Sequence, residues 1–326
     1  MTKFIKAYIK TMRLYYAFLT GIAGWIGVAF YLYTTDTGLY PGQVPPSLPK
    51  QIIILLFLFF VWGINQVIND YLGLPEDRIN APQRPMVTGE LNAAAALATS
   101  FVLIGLVGLV TWLYLEPLAL IPMVIGIGLN VVYEYAKAYG IWGNITFGIM
   151  ISACTVYGFM ACGPFAKPLL TIPRVVIVLM VAVLNSTMTY FTYFKDYKGD
   201  KRAGKATIVV RYGLHKARVI GVIFSLIPAV FFGFAAIFGA FTIQITSEFW
   251  ILAALACGLQ GYVAYLYYRY PIGEKTYESL KVNFRACICS QAALIALFDS
   301  TLGLILFLVS YIFVGFLFDL TGSSKG

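Results

Sequence analysis

A chain of 326 residues with 60% hydrophobic and only 11% charged residues is too apolar for a water-soluble globule. Its mean hydropathy of +0.82 points to a polytopic, all-α membrane protein. The net charge of +9 is explained by membrane topology and anionic lipid, so no nucleic-acid partner is expected.

A span needs about 20 mostly apolar residues, and nine stretches of the chain supply one. The chain opens on an amphipathic, Lys-rich stretch (Lys3, Lys6, Lys10) that feeds the first span, 15–34, with no small-residue cleavage pattern behind it. The second, 51–72, runs into Asn69-Asp70 and then Glu76-Asp77-Arg78, continuing to Arg84-Pro85. Spans 93–114 and 117–134 are parted only by Glu116-Pro117 and read as a tight helical hairpin. Lys137 follows, before spans 143–163 and 172–194. The sixth runs into Lys195-Asp196, Gly199-Asp200 and Lys201-Arg202. Spans 216–241, 248–268 and 290–317 complete the set, and the ninth encloses Asp299, an intramembrane carboxylate and so a functional candidate. The connections 73–92, 195–215 and 269–285 read as caps on a single domain, 1–326.

With nine spans, 19 of the 23 Lys and Arg residues fall on one side, while Lys50, Lys167, Arg174 and Lys325 fall on the other. The positive-inside bias makes the rich side cytoplasmic, with the N-terminus on it and the C-terminus opposite. Both acidic stretches lie on that cytoplasmic side. The five cysteines read as small packing hydrophobes, and His215 as a surface residue.

Five of the 14 acidic residues sit in the two stretches. Carboxylates so close to hydrocarbon are costly unless paired, solvated or bound to a cation. If the helix persists past span two, Asn69, position 73 and Asp77 share one face, although Pro75 argues for a break. Asp196 and Asp200, four apart, stack on one face and repel unless a cation stands between them. Carboxylate and amide oxygens suit Mg²⁺ together with phosphate, and Arg78 and Arg84 suit phosphate oxygens. The same residues also describe ordinary charged loops, and the pairing of two such stretches on one side is what favours a site.

The runs Asn69-Asp70-Tyr71 … Asp77-Arg78-Ile79-Asn80-Ala81-Pro82-Gln83-Arg84-Pro85 and Lys195-Asp196 … Gly199-Asp200 … Ala203-Gly204-Lys205 resemble the two aspartate-rich signatures of the UbiA superfamily of intramembrane prenyltransferases. The spacing is similar to the chlorophyll synthase and digeranylgeranylglyceryl phosphate synthase branch. Arg13, and Tyr133 … Lys137 … Gly143-Asn144, fit as well. The resemblance implies nine helices around a cavity open to lipid. It implies transfer of a polyprenyl group from an isoprenyl diphosphate to an aromatic or lipid acceptor, with Mg²⁺ bridging aspartates and diphosphate. Carried over, it makes Asp70, Asp77, Asp196 and Asp200 catalytic and, with Asn69, metal-binding. Arg78, Arg84, Lys137, Lys195 and Lys201 hold the diphosphate, and Asn185 and Tyr193 line the cavity; Asn185 reads equally as a helix–helix hydrogen bond. The family usually has Asp where this chain has Gly73, and often acidic residues where it has Tyr193 and Lys198. Asp70, Glu76 or Asp77 is expected to compensate. Alternatives are a terpene cyclase using the same ionisation, a lipid-binding or transport protein, and a member without activity.

Overall fold

The computed structural model describes residues 2–164, 169–240 and 245–320. Lys167 and Lys325 of the sparsely charged side lie outside them. Within the described residues the chain forms thirteen helices and one short parallel strand pair. An amphipathic α1 (Thr2–Met12) precedes α2 (Tyr15–Asp36) and α3 (Leu48–Leu72). Short α4 (Leu74–Asn80) and α5 (Pro85–Thr88) lead to α6 (Ala93–Tyr114). A single 3-10 turn, Pro117–Ala119, opens α7 (Leu120–Ala136). Strand β1 (Tyr139–Gly140) precedes α8 (Ile141–Ala161) and α9 (Ile172–Arg202). Strand β2 (Ala206–Thr207) follows, then α10 (Ile208–Ile237), α11 (Ser247–Arg269), α12 (Lys275–Ile295) and α13 (Ser300–Leu320).

Nine of the described helical segments are long and apolar enough to cross a membrane. The outer helices leave large apolar residues such as Leu106, Trp112, Ile223 and Phe316 exposed, as a lipid-facing surface requires. The centre is made by α2, α8, α9 and α12, and small residues let the backbones close up. Gly27 on α2 abuts the Thr155 carbonyl of α8, and Gly158 on α8 abuts the Gly24 carbonyl of α2, so neither position has room for a Cβ. Thr155 Oγ1 donates to the Ala23 carbonyl at 2.7 Å across the same crossing.

The expected ninth span, 290–317, is two helices. The chain turns between Ile295 and Ser300, and α12 and α13 lie antiparallel: Tyr277 Oη donates to the Phe318 carbonyl (2.8 Å) and Lys281 pairs with Asp319 (3.1 Å). Helix α12 escapes a hydropathy scan because it buries polar side chains, including Asn283, Ser290 and Gln291, whose donors reach neighbouring helices or its own backbone. Asn283 Nδ2 donates to the Met188 carbonyl at 2.9 Å and Gln291 Nε2 to Asn185 Oδ1 at 3.3 Å. Three expectations change with it. Residues 275–285 are the first half of a core helix, not part of a surface cap. Asp299 is an exposed turn residue that accepts the Leu302 N–H at 2.9 Å and starts α13, not an intramembrane acid. The far end of α13 returns beside Tyr15, with the Tyr15 and Phe318 rings 4.8 Å apart, so it lies at the N-terminal end of the bundle rather than the opposite one.

Candidate active site

Helix α3 ends at Gly73, and Pro75 restarts the chain as α4, so the first acidic stretch is two short helical segments meeting at a bend. Asn80, the last residue of α4, accepts the Gly199 N–H through its Oδ1 at 2.9 Å. That bond joins the first stretch to the second, which is the last two turns of α9. The β1–β2 pairing of Tyr139 with Ala206 and Gly140 with Thr207 then ties the chain after α7 to the chain after α9. The two bridges gather Asn69, Asp70, Asp77, Asp196 and Asp200 with Arg84, Lys137 and Lys205 around one polar pocket enclosing about 730 Å³ of open space.

The acidic residues of the pocket fall into two groups. The first is tied to cationic partners, Asp70 most completely. Asp70 is 2% exposed and takes both Arg13 contacts (2.6 and 2.7 Å), Gln66 Nε2 at 2.7 Å and Arg84 Nη1 at 3.3 Å. Asp70 therefore organises the arginines, with most of its acceptor capacity taken up by them and Gln66. Arg13 reaches it from the junction of α1 and α2, where its φ of 49° makes it the one non-glycine residue with positive φ among the described residues. Asp77 Oδ2 shares the same Arg84 Nη1. Burial pushes the Asp77 carboxyl up to about 6, against the pull of Arg84 and with the push of Asp70. Glu76 pairs with Lys205 at 2.8 Å. Glu134, on α7, holds Lys137 at 2.7 Å and Lys205 at 2.6 Å. Burial alone would make the Lys137 ammonium more acidic, but Glu134 overrides it and holds the lysine well above its ordinary value.

The second group has no such partners. Among the described residues neither Asp196 nor Asp200 has a side-chain hydrogen bond or ion pair, although Asp200 is only 5% exposed. Asn69 Oδ1 and Glu76 Oε2 are buried without a hydrogen-bond donor. Open carboxylate and amide oxygens of this kind fit a hard divalent cation. No three His, Cys, Asp or Glu residues among those described are close enough to form a metal cage by themselves. Such a cation must take further ligands from its substrate or water, which is the habit of Mg²⁺.

Lys195 faces an adjoining pocket with Lys10, Gln83, Arg13 and Arg84, and Asp196 and Thr192 line both. Four expected residues lie elsewhere. Arg78 is exposed and lines neither pocket, because α4 turns that face to solvent. Lys201 is exposed and stands over its own helix neighbour Tyr197, 5.9 Å from the ring centre. Tyr193 is buried in an aromatic cluster with Tyr190 and Phe194, its hydroxyl filling the space that Gly143 leaves empty. Asn185 is fully buried, donating to the Val181 carbonyl at 2.8 Å and accepting from Gln291, so it is a helix–helix contact and not a cavity residue. The residues missed from the sequence are Glu134 and Gln66. Neither belongs to an acidic run; Gln66 stands one helical turn before Asp70 on α3, whereas only folding brings Glu134 to the pocket.

Trp62 forms a wall shared by the polar pocket and an apolar one, which lies between α3, α7 and α8 past Met123, Met150 and Tyr157 with about 560 Å³ of open space. Tyr16 stacks on Trp62 at 4.9 Å and Phe147 packs edge-on to it at 5.4 Å, so aromatic faces stand at the junction.

Residues 31–288 match the UbiA prenyltransferase family. The chain belongs to that family. This UbiA member is therefore a membrane prenyltransferase. Digeranylgeranylglyceryl phosphate synthase of Pyrococcus horikoshii is 28% identical over 226 residues, which are 69% of this chain and 76% of that protein. The fold is that of a UbiA homolog from Aeropyrum pernix K1 (TM-score 0.67, 17% identity, 87% of this chain and 98% of that one). It is also that of a UbiA homolog from Archaeoglobus fulgidus solved with DMAPP and Mg²⁺ (TM-score 0.64, 16% identity, 93% and 99%).

Proposed function

We propose that this UbiA protein transfers a polyprenyl group from an isoprenyl diphosphate, with Mg²⁺, to a separate acceptor inside the membrane. The observation that carries the reading is the pair Asp196 and Asp200, unpartnered carboxylates facing a pocket whose other wall holds Arg84, Lys137 and Lys205. A diphosphate bound with Mg²⁺ would neutralise the charges of both walls. Bound Mg²⁺ supplies electrostatic stabilisation of charge on the leaving diphosphate.

The chain's own residues do the rest. Asn69 and Asp77 would hold Mg²⁺ on one wall and Asp196 and Asp200 on the other, each set completed by oxygens of substrate or water. Arg84, Lys137 and Lys205 donate to the diphosphate oxygens from a preorganised frame. The isoprenyl chain passes Trp62 into the apolar pocket and stays out of water. The allylic C–O bond breaks with its electron pair on the diphosphate, the acceptor forms the new bond to carbon, and the acceptor's proton is released. Tyr16, Trp62 and Phe147 present faces to the carbocation. The acceptor enters by the adjoining pocket, where Lys10 and Lys195 favour an anionic head group. The Lys and Arg bias supports a site facing the cytoplasm.

The test is incubation of purified protein with Mg²⁺ and radiolabelled geranylgeranyl diphosphate, with and without lipid and aromatic acceptors. Diphosphate release that depends on an acceptor supports transfer. Release without one supports the cyclase alternative, and binding without release supports a non-catalytic protein.

A further inference from the structure

Asn69, position 73 and Asp77 follow one another at intervals of four and all three line the pocket. The middle one is Gly73 and presents no side chain. Its backbone, with φ −92° and ψ 12°, is open to any residue, so conformation does not explain a glycine there. Its surroundings bear on it. A Cβ at position 73 would stand in ordinary contact with Glu134 Oε1 at 3.5 Å and close to the Asn69 carbonyl at 3.2 Å. A longer side chain projecting from there would have to share its place with a carboxylate from α7.

Glu134 is 6% exposed, and a charge so buried needs a reason. Neutralising lysines is an incomplete one. Lys205 already has Glu76 at 2.8 Å. Glu134 gives one oxygen to each lysine, and a carboxylate accepts about four hydrogen bonds, so each oxygen keeps an open acceptor direction. Beside it, Asn69 Oδ1 and Glu76 Oε2 have no donor at all.

We propose that Glu134 is the middle carboxylate of the first acidic set, delivered across the pocket from α7, and that it binds the divalent cation with Asn69 and Asp77. The inference rests on the diphosphate-and-Mg²⁺ reading above. Gly73 is then the complement of Glu134, keeping free the space that its carboxylate fills.

The test is titration of the full-length protein in detergent with Mn²⁺, read by electron paramagnetic resonance in the presence of inorganic pyrophosphate, beside a thermal unfolding midpoint. Glu134→Gln keeps the volume and one acceptor oxygen, and is expected to weaken Mn²⁺ binding by about tenfold or more. Gly73→Asp alone is expected to lower the midpoint, since two carboxylates then claim one place. The double variant Gly73→Asp with Glu134→Gln is expected to recover both the midpoint and Mn²⁺ affinity. Wild-type Mn²⁺ affinity in Glu134→Gln overturns the inference, as does a folded double variant that binds no better than Glu134→Gln. If Gly73→Asp does not fold, Glu134→Gln alone decides. Failure of the wild-type protein to bind Mn²⁺ overturns the parent reading instead, so the two failures are distinguishable.

Discussion

The Asn80 carboxamide oxygen accepts the Gly199 N–H at 2.9 Å, and this bond fastens the end of α4 to the last turns of α9. It sets the distance between Asp77 on one side and Asp196 and Asp200 on the other. A Cβ on residue 199 would collide with the Asn80 side chain, so the pair is matched in shape as well as in hydrogen bonding. Asn80→Ala is expected to cost about 1 kcal/mol of stability. Gly199→Ala is expected to cost about 1–3 kcal/mol through overpacking. Both should reduce turnover by more than they reduce the folded fraction, because the two acidic sets separate. Thermal unfolding together with prenyl-transfer rates checks this; full activity in Gly199→Ala would show that the junction does not set the site.

Asp196→Asn and Asp200→Asn should have opposite effects on activity and stability. Each removes an unpartnered carboxylate at the pocket, and Asp200 is nearly buried. Turnover should fall by about a hundredfold or more, the usual scale for losing a preorganised electrostatic contact. The cation-free protein should unfold at an equal or higher temperature, because like charges four residues apart on α9 no longer repel. Wild-type rates in both variants would remove them from the cation site.

Much of this was legible in the chain. Asp196 and Asp200 stand four apart in a run bracketed by lysines, and Asn69 to Asp77 follow the end of a hydrophobic span, so their place at the pocket is foreshadowed in local spacing. Glu134 was not legible. It lies 61 positions from Gly73 in the chain, inside a span, and only the packing of α7 against the bend after α3 gives it meaning. Helix α12 was hidden for a related reason. Asn283 and Gln291 lower its hydropathy, and nothing in the sequence says that their amides find partners on α9. Asp70 was legible as important but not as occupied, because Arg13 approaches it from 57 residues upstream.

Arg84 bridges Asp70 and Asp77, so Arg84→Ala removes a diphosphate donor and leaves two close carboxylates facing each other. Donor affinity should fall more than acceptor affinity, by about tenfold, a loss of the order of one charge-assisted hydrogen bond. Binding of a non-hydrolysable isoprenyl diphosphate analogue measures it. Unchanged donor affinity would place the diphosphate elsewhere.

The Asp77 carboxyl, lifted by burial from the usual 3.8 to about 6, makes cation binding and stability depend on pH in opposite directions. The folded protein keeps a proton on Asp77 between about pH 4 and 6 that the unfolded chain releases, so this group's stabilising share is complete below about pH 4 and is lost as pH rises through about 6. A divalent cation needs the same oxygens ionised. Its affinity should therefore rise through about pH 6, and because burial and Asp196 lift Asp200 to about 8, it should level off only above that second step, since each binding event must expel protons. Mn²⁺ titrations across this range, repeated on Asp77→Asn, measure the linkage. The variant should bind more weakly and lose the step near pH 6. A step that survives unchanged in Asp77→Asn would assign the proton to another carboxylate of the pocket.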